Sequence, residues 1–316
     1  MASNTPKKAI LVTGATGKQG GATINALLDA GALDQHKLLA VTRNPGSGAA
    51  KNLEAKGVIV IRGDLNDIPS IFSRAKAALG VDDDKVWGVF SVQTAAPSRT
   101  EEAQGKALVD EALSNNVEFF VYSSVDRGGE TSFHNPTTVP DFINKYNIEH
   151  HLIDAAEFTD MRWTILRPVA FMENFLPGFG TIIPGFGPKV MATAWKVAIK
   201  EKPLQLVSIR DIGWFAAQAF MRPGDFAGRH ISLAGDELAF SQANAVFKSK
   251  VGYELPQTFH FPVRFLLWYS AELGNMFHWF YTDGYGTDVK ALKGEHPGLL
   301  SWSEWLDQND WTKKSA

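Results

Sequence analysis

The chain of 316 residues contains no cysteine. Disulfides, thiolate metal sites, a nucleophilic cysteine and thiol-based redox sensing are all excluded, so any redox role must fall to a bound group. Long basic runs are missing as well. Lys and Arg number 31 against 34 Asp and Glu, giving a formal charge of −3 and a pI near 6.2, which argues against direct binding of nucleic acid. No internal repeat, low-complexity tract or clean linker breaks the chain. MASNTPKK leads straight into the first apolar run, with no segment before it long enough for a signal peptide, so a cytoplasmic protein is expected. The most membrane-like stretch, FPVRFLLWYSAELGNMFHWFY at 261–281, is interrupted by Arg264, Glu272, Asn275 and His278. It makes a poor membrane span and reads better as a buried or pocket-lining helix. What remains is a 45% hydrophobic chain, enough for one large α/β domain or two unequal ones.

The first structured stretch is AILVTGATGKQGGATINALL, residues 9–28. Ala9 to Val12 is a compact β-favouring run, and from Gly17 onward Ile24, Leu27 and Leu28 share one face of a helix. Strand, glycine turn and helix follow one another. In the turn, Gly14 lets the chain reverse tightly, Gly17 lets backbone approach a ligand, and Gly20 lets the helix pack close to the strand. Unpaired N–H groups at the helix start then face an anion. Thr16, Lys18 and Gln19 complete the candidate phosphate-binding turn, Lys18 adding positive charge.

A second buried run, LLAVTRNP at 38–45, arrives about 20 residues after the helix begins, where a dinucleotide fold recognises the adenosine ribose. The residue there is Arg43. A carboxylate would accept from a ribose 2′-hydroxyl and repel a 2′-phosphate, whereas a guanidinium clamps the phosphate with paired hydrogen bonds. The site reads as one for NADP(H), the alternative being a solvated arginine that merely ends a strand.

Further strand-like runs at Val58 to Ile61, Val86 to Phe90 and Phe119 to Tyr122 are separated by expected helices near 67–79 and 100–115, and WTILRP at 163–168 is expected to return to the sheet. This alternation predicts a Rossmann-type, doubly wound parallel sheet with a smaller C-terminal substrate-capping portion, divided as 1–170 and 171–316 with the second part interleaved. Ligands in such sheets bind beyond the carboxyl ends of the strands, which selects Asp64, Leu65, Ser91, Gln93, Ser123 and Ser124. A hydroxyl at Ser123 could bond a substrate carbonyl, or simply shape a turn.

GATGKQG, the arginine after the second strand, RGDLND, FFVYSSV, the helix holding NKYNIE, TILRPVAFMENF and VSIRDIG together resemble the NmrA-like branch of the atypical short-chain dehydrogenase/reductases, over about residues 8–240. The resemblance implies the fold and a dinucleotide, and leaves the reaction open among regulators, quinone and other small-molecule reductases, and isoflavone-reductase-like enzymes. It adds Pro168 and Asn174 beside the nicotinamide end, next to Glu173. Where the wider superfamily places YxxxK, this chain has PDFINKYNIEHHLI. The lysine, Lys145, is present; the tyrosine position holds Asp141, one helical turn away on the same face. Lys145 can hold the nicotinamide ribose and, as in the isoflavone-reductase-like relatives, serve as general acid/base, its proton affinity lowered beside the nicotinamide. Pairing with Asp141 or Glu149 on a helix surface is the other reading. Tyr146 points about 100° away round the helix and does not replace the missing tyrosine. His150 and His151 lack a metal-binding constellation, and no metal is expected. Asp126 and Arg127 follow a strand and are expected to be solvated.

Thirteen of the last 61 residues are aromatic, and five of the nine tryptophans lie there. Phe265, Trp268 and Phe277 are candidates for binding a flat apolar substrate, the alternatives being a small-domain core, a homodimer contact or a groove for a protein partner. GFGTIIPGFGP at 178–188 looks like a glycine-hinged loop able to cover the pocket. The expected function is an NADP(H)-dependent oxidoreductase acting on a carbonyl, imine or activated double bond of a bulky aromatic molecule, with a reduction-coupled cyclisation as a variant. The competing expectation is a cofactor-ratio sensor without turnover.

Overall fold

A computed structural model describes residues 7–80, 85–93, 98–176 and 187–311. Strands β1 (Lys8–Val12), β2 (His36–Thr42), β3 (Ile59–Arg62), β4 (Val86–Ser91), β5 (Phe119–Ser123), β6 (Arg162–Pro168), β7 (Ala170–Phe171), β8 (Leu204–Val207), β9 (Arg229–Leu233) and β10 (Asp236–Leu238) form two sheets. The larger runs β3-β2-β1-β4-β5-β6-β9 and the smaller β10-β8-β7. β1 pairs in parallel with both β2 and β4, and the parallel pairing continues outward to β3 on one side and through β5 to β6 on the other. Strand order therefore reverses between β1 and β4, which makes their carboxyl ends the topological switch point of the sheet.

The helices are α1 (Lys18–Asp29), α2 (Gly48–Ala55), α3 (Ile68–Leu79), α4 (Ser98–Ser114), α5 (Pro140–Ala156), α6 (Pro188–Ala194), α7 (Ile209–Met221), α8 (Pro223–Phe226), α9 (Phe240–Val251), α10 (His260–Tyr269), α11 (Ala271–Thr282), α12 (Val289–Glu295) and α13 (Trp302–Asp307). Local sequence explains the crossovers. Ala9 to Val12 of β1 are all buried, as a strand covered on both faces requires. α1 turns Gly20, Thr23, Ile24 and Leu27 inward at helical spacing. α3 opens with a proline in its first turn and buries Ile68, Ile71, Phe72, Ala75 and Leu79. None of the described helices is long and apolar enough to cross a membrane.

The chain divides into two compact units, Met1–Ser124, Asn144–Leu166 and Ile212–Ile231 forming the first, and Val125–Ile143, Arg167–Asp211 and Ser232–Ala316 the second. The sequence suggested a boundary at 170 with the second part interleaved; the backbone passes from one unit to the other at five places. Residues 125–143 leave the first unit early because Asp126 and Arg127 bond within the second, and α7 and α8 return to complete the first.

Candidate functional site

In the first unit the switch point is tied together by one hydroxyl. Thr13 Oγ1 donates to the Phe90 carbonyl at 3.0 Å and accepts from Val92 N–H at 3.0 Å, joining the ends of β1 and β4. Gly14 then takes φ +57°, a left-handed conformation that costs glycine little. A Cβ on Gly20 would lie 2.4 Å from the Gly14 carbonyl oxygen and 2.5 Å from that of Thr13, so only glycine lets α1 begin this close to the strand. Gly17 is the N-cap of α1, extended and without any side-chain cap. With no side chain capping it, the start of α1 suits an anion, and the turn fits a diphosphate. Thr16 and Thr42 hydroxyls meet at 3.2 Å across it.

Arg43 lines a cleft of about 380 Å³ together with Arg62, Gly63, Asp64, Asp67, Ser70 and Arg74. The register of β2 against β3 sets Thr42 opposite Arg62, so Arg43 and Arg62 leave neighbouring strands side by side. Arg74, from α3, donates to the Arg62 carbonyl at 2.8 Å. Three guanidiniums around one cleft suit a ribose 2′-phosphate. Arg62 and Arg74 were not singled out in the sequence. Arg62 heads the quoted RGDLND, but only the sheet order shows that it stands beside Arg43. Asp64 Oδ1 accepts from Asn66 N–H at 2.9 Å, shaping the turn after β3, in which Leu65 is half-buried.

Two candidates from distant sequence positions meet directly. Ser123 Oγ donates to Gln19 Oε1 at 2.5 Å, so the Ser123 proton is already committed and reaches a substrate carbonyl only if Gln19 turns away. Gln93 donates through Nε2 to Ser91 Oγ at 2.9 Å while its Oε1 is buried without a partner. Ser124 bonds buried Glu149, which removes Glu149 as a simple surface partner for Lys145.

Lys145 instead donates to Glu101 Oε1 at 2.7 Å, a residue of α4 that the sequence reading did not select. The lysine side chain is 19% exposed and that of Glu101 only 1%. Among the described residues the second carboxylate oxygen, Glu101 Oε2, has no hydrogen-bond partner, and neither has Asn144 Nδ2 beside the lysine. Buried polar groups are nearly always paired. Three unpaired ones, on Gln93 just after β4, on Glu101 of α4 and on Asn144 of α5, fit a first unit that a polar ligand completes. Asp141 stays half-buried one turn before Lys145 on α5.

Other side chains have different work from that expected. Asp126 and Arg127 are fully buried rather than solvated. Asp126 accepts from Gly128, Gly129 and Gly286 N–H and from Ser232 Oγ, the last at 2.6 Å. Arg127 donates to the carbonyls of Val125, Ser132 and Asn135. Saturated hydrogen bonding is what makes such burial tolerable. Burial, together with the Asp126 charge, pushes the Tyr285 phenol well above its ordinary range. Tyr146 packs on His150, and His151 Nε2 lies 2.7 Å from Asp110. No group of three or more potential ligands among the described residues could hold a metal ion. Glu173 accepts from Ser208 Oγ, Ile209 N–H and Trp305 Nε1–H at 3.0–3.1 Å, and burial raises its pKa above the usual carboxylate value although these bonds lower it. Asn174 beside it is half-buried, and Pro168 ends β6.

The aromatic C-terminus splits in character. The single helix expected over 261–281 is two helices, broken at Ser270, whose hydroxyl caps α11. Phe277 is 1% exposed and belongs to the second unit's core with Leu273, Trp279 and Phe280, so it is spent on packing and reaches no substrate without disrupting that core. Phe265 and Trp268 are 53% and 78% exposed on α10 rather than enclosed. The loop expected to cover a pocket, 178–188, lies outside the described residues except for its last two, which begin α6.

The NmrA-like family model matches residues 6–308, and the chain belongs to that family. An NmrA-like family domain-containing protein of Dictyostelium discoideum is 25% identical over 95% of this chain and 97% of its own. The NmrA-like oxidoreductase FrzB of Cladobotryum is 27% identical over 77% of this chain and 73% of its own. Among solved structures, Citrobacter triphenylmethane reductase complexed with NADP(H) superposes with a TM-score of 0.70 at 18% identity, covering 95% of this chain and 99% of that one. NmrA, a negative transcriptional regulator, in complex with NADP gives 0.64 at 19% identity, with coverage of 96% and 95%. At such identities the superpositions establish the fold.

Proposed function

We propose that the protein binds NADP(H) in its first unit and is an oxidoreductase for a bulky, largely aromatic organic molecule carrying a carbonyl, imine or activated double bond. The observation that carries this reading is the cleft between Arg43, Arg62 and Arg74, placed where the 2′-phosphate of a dinucleotide held by the α1 turn would fall. The bound cofactor would supply or accept hydride. Gly14, Gly17 and Gly20 would let backbone reach the diphosphate. Lys145, held in place by the buried carboxylate of Glu101, would hold the nicotinamide ribose and present an ammonium proton to an oxygen gaining charge during reduction. Support for the substrate class comes from the relatives, a triphenylmethane reductase and a fungal oxidoreductase.

The test has two arms. NADPH and NADH are titrated against the protein and against Arg43→Ala; a roughly ten- to hundredfold preference for NADPH is expected, eroded in the variant. NADPH oxidation is then followed with a panel of triphenylmethane dyes, quinones, aromatic carbonyls and imines. Equal affinities for the two nucleotides remove the cofactor assignment. Tight NADPH binding without oxidation by any panel member replaces the enzyme with a nucleotide-binding regulator, the class of NmrA, a negative transcriptional regulator solved in complex with NADP.

A further inference from the structure

Six large apolar side chains are exposed among the described residues, and five of them fall within eleven consecutive positions: Phe259 at 84%, Phe261 at 81%, Phe265 at 53%, Trp268 at 78% and Tyr269 at 75%. At 100° per residue, Phe261, Phe265, Trp268 and Tyr269 form one stripe along α10, with Arg264 at its margin. The opposite side of the same helix is also apolar. Val263 is in the core, and Leu266 and Leu267 pack against it. A helix that is apolar all round belongs in an interior, and here half of its circumference faces outward.

From this we infer that α10 is the self-contact of a homodimer, the stripe of one subunit packing against the stripe of a second copy. Area supports it. Each aromatic side chain can bury roughly 150–250 Å², so at these exposures the four of the stripe present on the order of 600 Å², and Phe259 at the N-cap of α10 brings the segment to on the order of 700 Å². That exceeds the roughly 300–600 Å² of the largest apolar patch on a typical monomer and comes close to the roughly 800 Å² each partner gives to a standard interface.

Shape and charge select the occupant. Phe261, Phe265, Trp268 and Tyr269 are exposed along one side of a helix, and such a ridge of side chains packs against another helix, whereas an extended peptide or a small molecule needs a groove. A helix lying on a membrane surface carries a polar face rich in Lys and Arg; α10 has only Arg264 and His260, and its second face is core. The stripe is close to self-complementary. Phe265 is at its middle, so a two-fold axis there would stack Phe265 on its own copy and bring Phe261 to Tyr269 of the partner subunit, with no acidic side chain in the stripe. Within one chain the rings make a continuous aromatic surface, Phe265 lying 5.7 Å from Trp268 and 6.1 Å from Tyr269, the latter nearly parallel.

Sedimentation equilibrium of the full chain tests the proposal. A dimer is expected at micromolar concentration, and Phe265→Glu and Trp268→Glu should each weaken it a hundredfold or more with unchanged circular dichroism, because both sites are exposed. The absence of cysteine supplies a second measurement. Arg264→Cys carries one spin label per chain, and a short, well-defined label-to-label distance is expected. A monomer at micromolar concentration overturns the proposal. So does a dimer indifferent to both glutamates, a dimer whose labels are far apart, or a monomer that sediments with anionic vesicles through the same residues.

Discussion

Glu101 and Glu173 are both buried carboxylates, one in each unit, and their surroundings are opposites. Glu173 has only neutral donors around it, Ser208, Ile209 and Trp305, and every one is a fixed part of the second unit. Glu101 faces a cation, Lys145, and keeps one oxygen unpaired. A saturated carboxylate fastens loops. One held half-satisfied beside a lysine is costly to the fold and persists where a ligand or reaction uses it. The contrast reverses the weight read from the sequence, in which Glu173 stood out beside Asn174 and Glu101 did not, and it sets a carboxylate tied by fixed donors against one that keeps an open oxygen beside Lys145.

The largest expected effect is on stability. Glu173→Ala leaves the Ser208, Trp305 and Ile209 donors without their acceptor and should cost roughly 3–5 kcal/mol in denaturant unfolding. A cost under about 1 kcal/mol would erase the contrast from the structural side. Next comes the reactive side. Lys145→Met should lower turnover roughly a hundredfold with cofactor saturating, while Glu101→Gln, which keeps an acceptor for the lysine but removes the charge, should lower it roughly tenfold. Glu101→Gln should also shift the unfolding midpoint far less than Glu173→Ala. If Glu101→Gln unfolds the protein as readily and leaves turnover intact, both carboxylates are structural. Turnover kept in Lys145→Met but lost in Asp141→Asn would move the proton chemistry to the carboxylate at the vacant tyrosine position.

The smallest effect concerns pH. Burial raises the Glu173 pKa in the folded state, so the native protein binds this proton more tightly than the unfolded chain does. The resulting stabilisation is complete below the unfolded value of about 4.5 and is lost as pH rises through the higher folded value. Glu173→Gln carries no such proton. Unfolding curves at successive pH values should show the unsubstituted protein losing stability relative to this variant as pH rises above the unfolded value, and parallel curves would contradict the shift.

Much of the first unit was legible because its signals are local. Glycine spacing, buried strands and a single arginine after β2 each act within a few residues, and the structure sets Gly14, Gly17, Gly20 and Arg43 where such spacing implies. Arg62, Arg74 and Glu101 were not legible for a shared physical reason. Each acquires its meaning from a neighbour across a strand pair or from another helix, 44 residues away in the case of Glu101 and Lys145. Asp126 and Arg127 misled because charged residues after a strand are usually solvated, and only tertiary hydrogen bonds show that these two are not. In the aromatic segment, composition announced apolar surface without saying which way it faces. Helical spacing fits Phe277 and Trp268 equally well, and the break at Ser270 separates their fates.

The five passages of the backbone between units bear on how the protein is made. Neither unit is a continuous stretch of chain, so neither can finish as it emerges from the ribosome. The strands flanking the glycine turn are available once β4 and β5 have been synthesised, yet the sheet waits for β9, and α7 and α8 arrive almost a hundred residues after β5. Until then the growing chain carries an open β6 edge and an unfilled helix layer, the conditions under which partly folded chains stick to one another. Completion therefore falls near the end of synthesis, and shortening the chain at 170 would yield a fragment with a formed glycine turn and an exposed core rather than a working half.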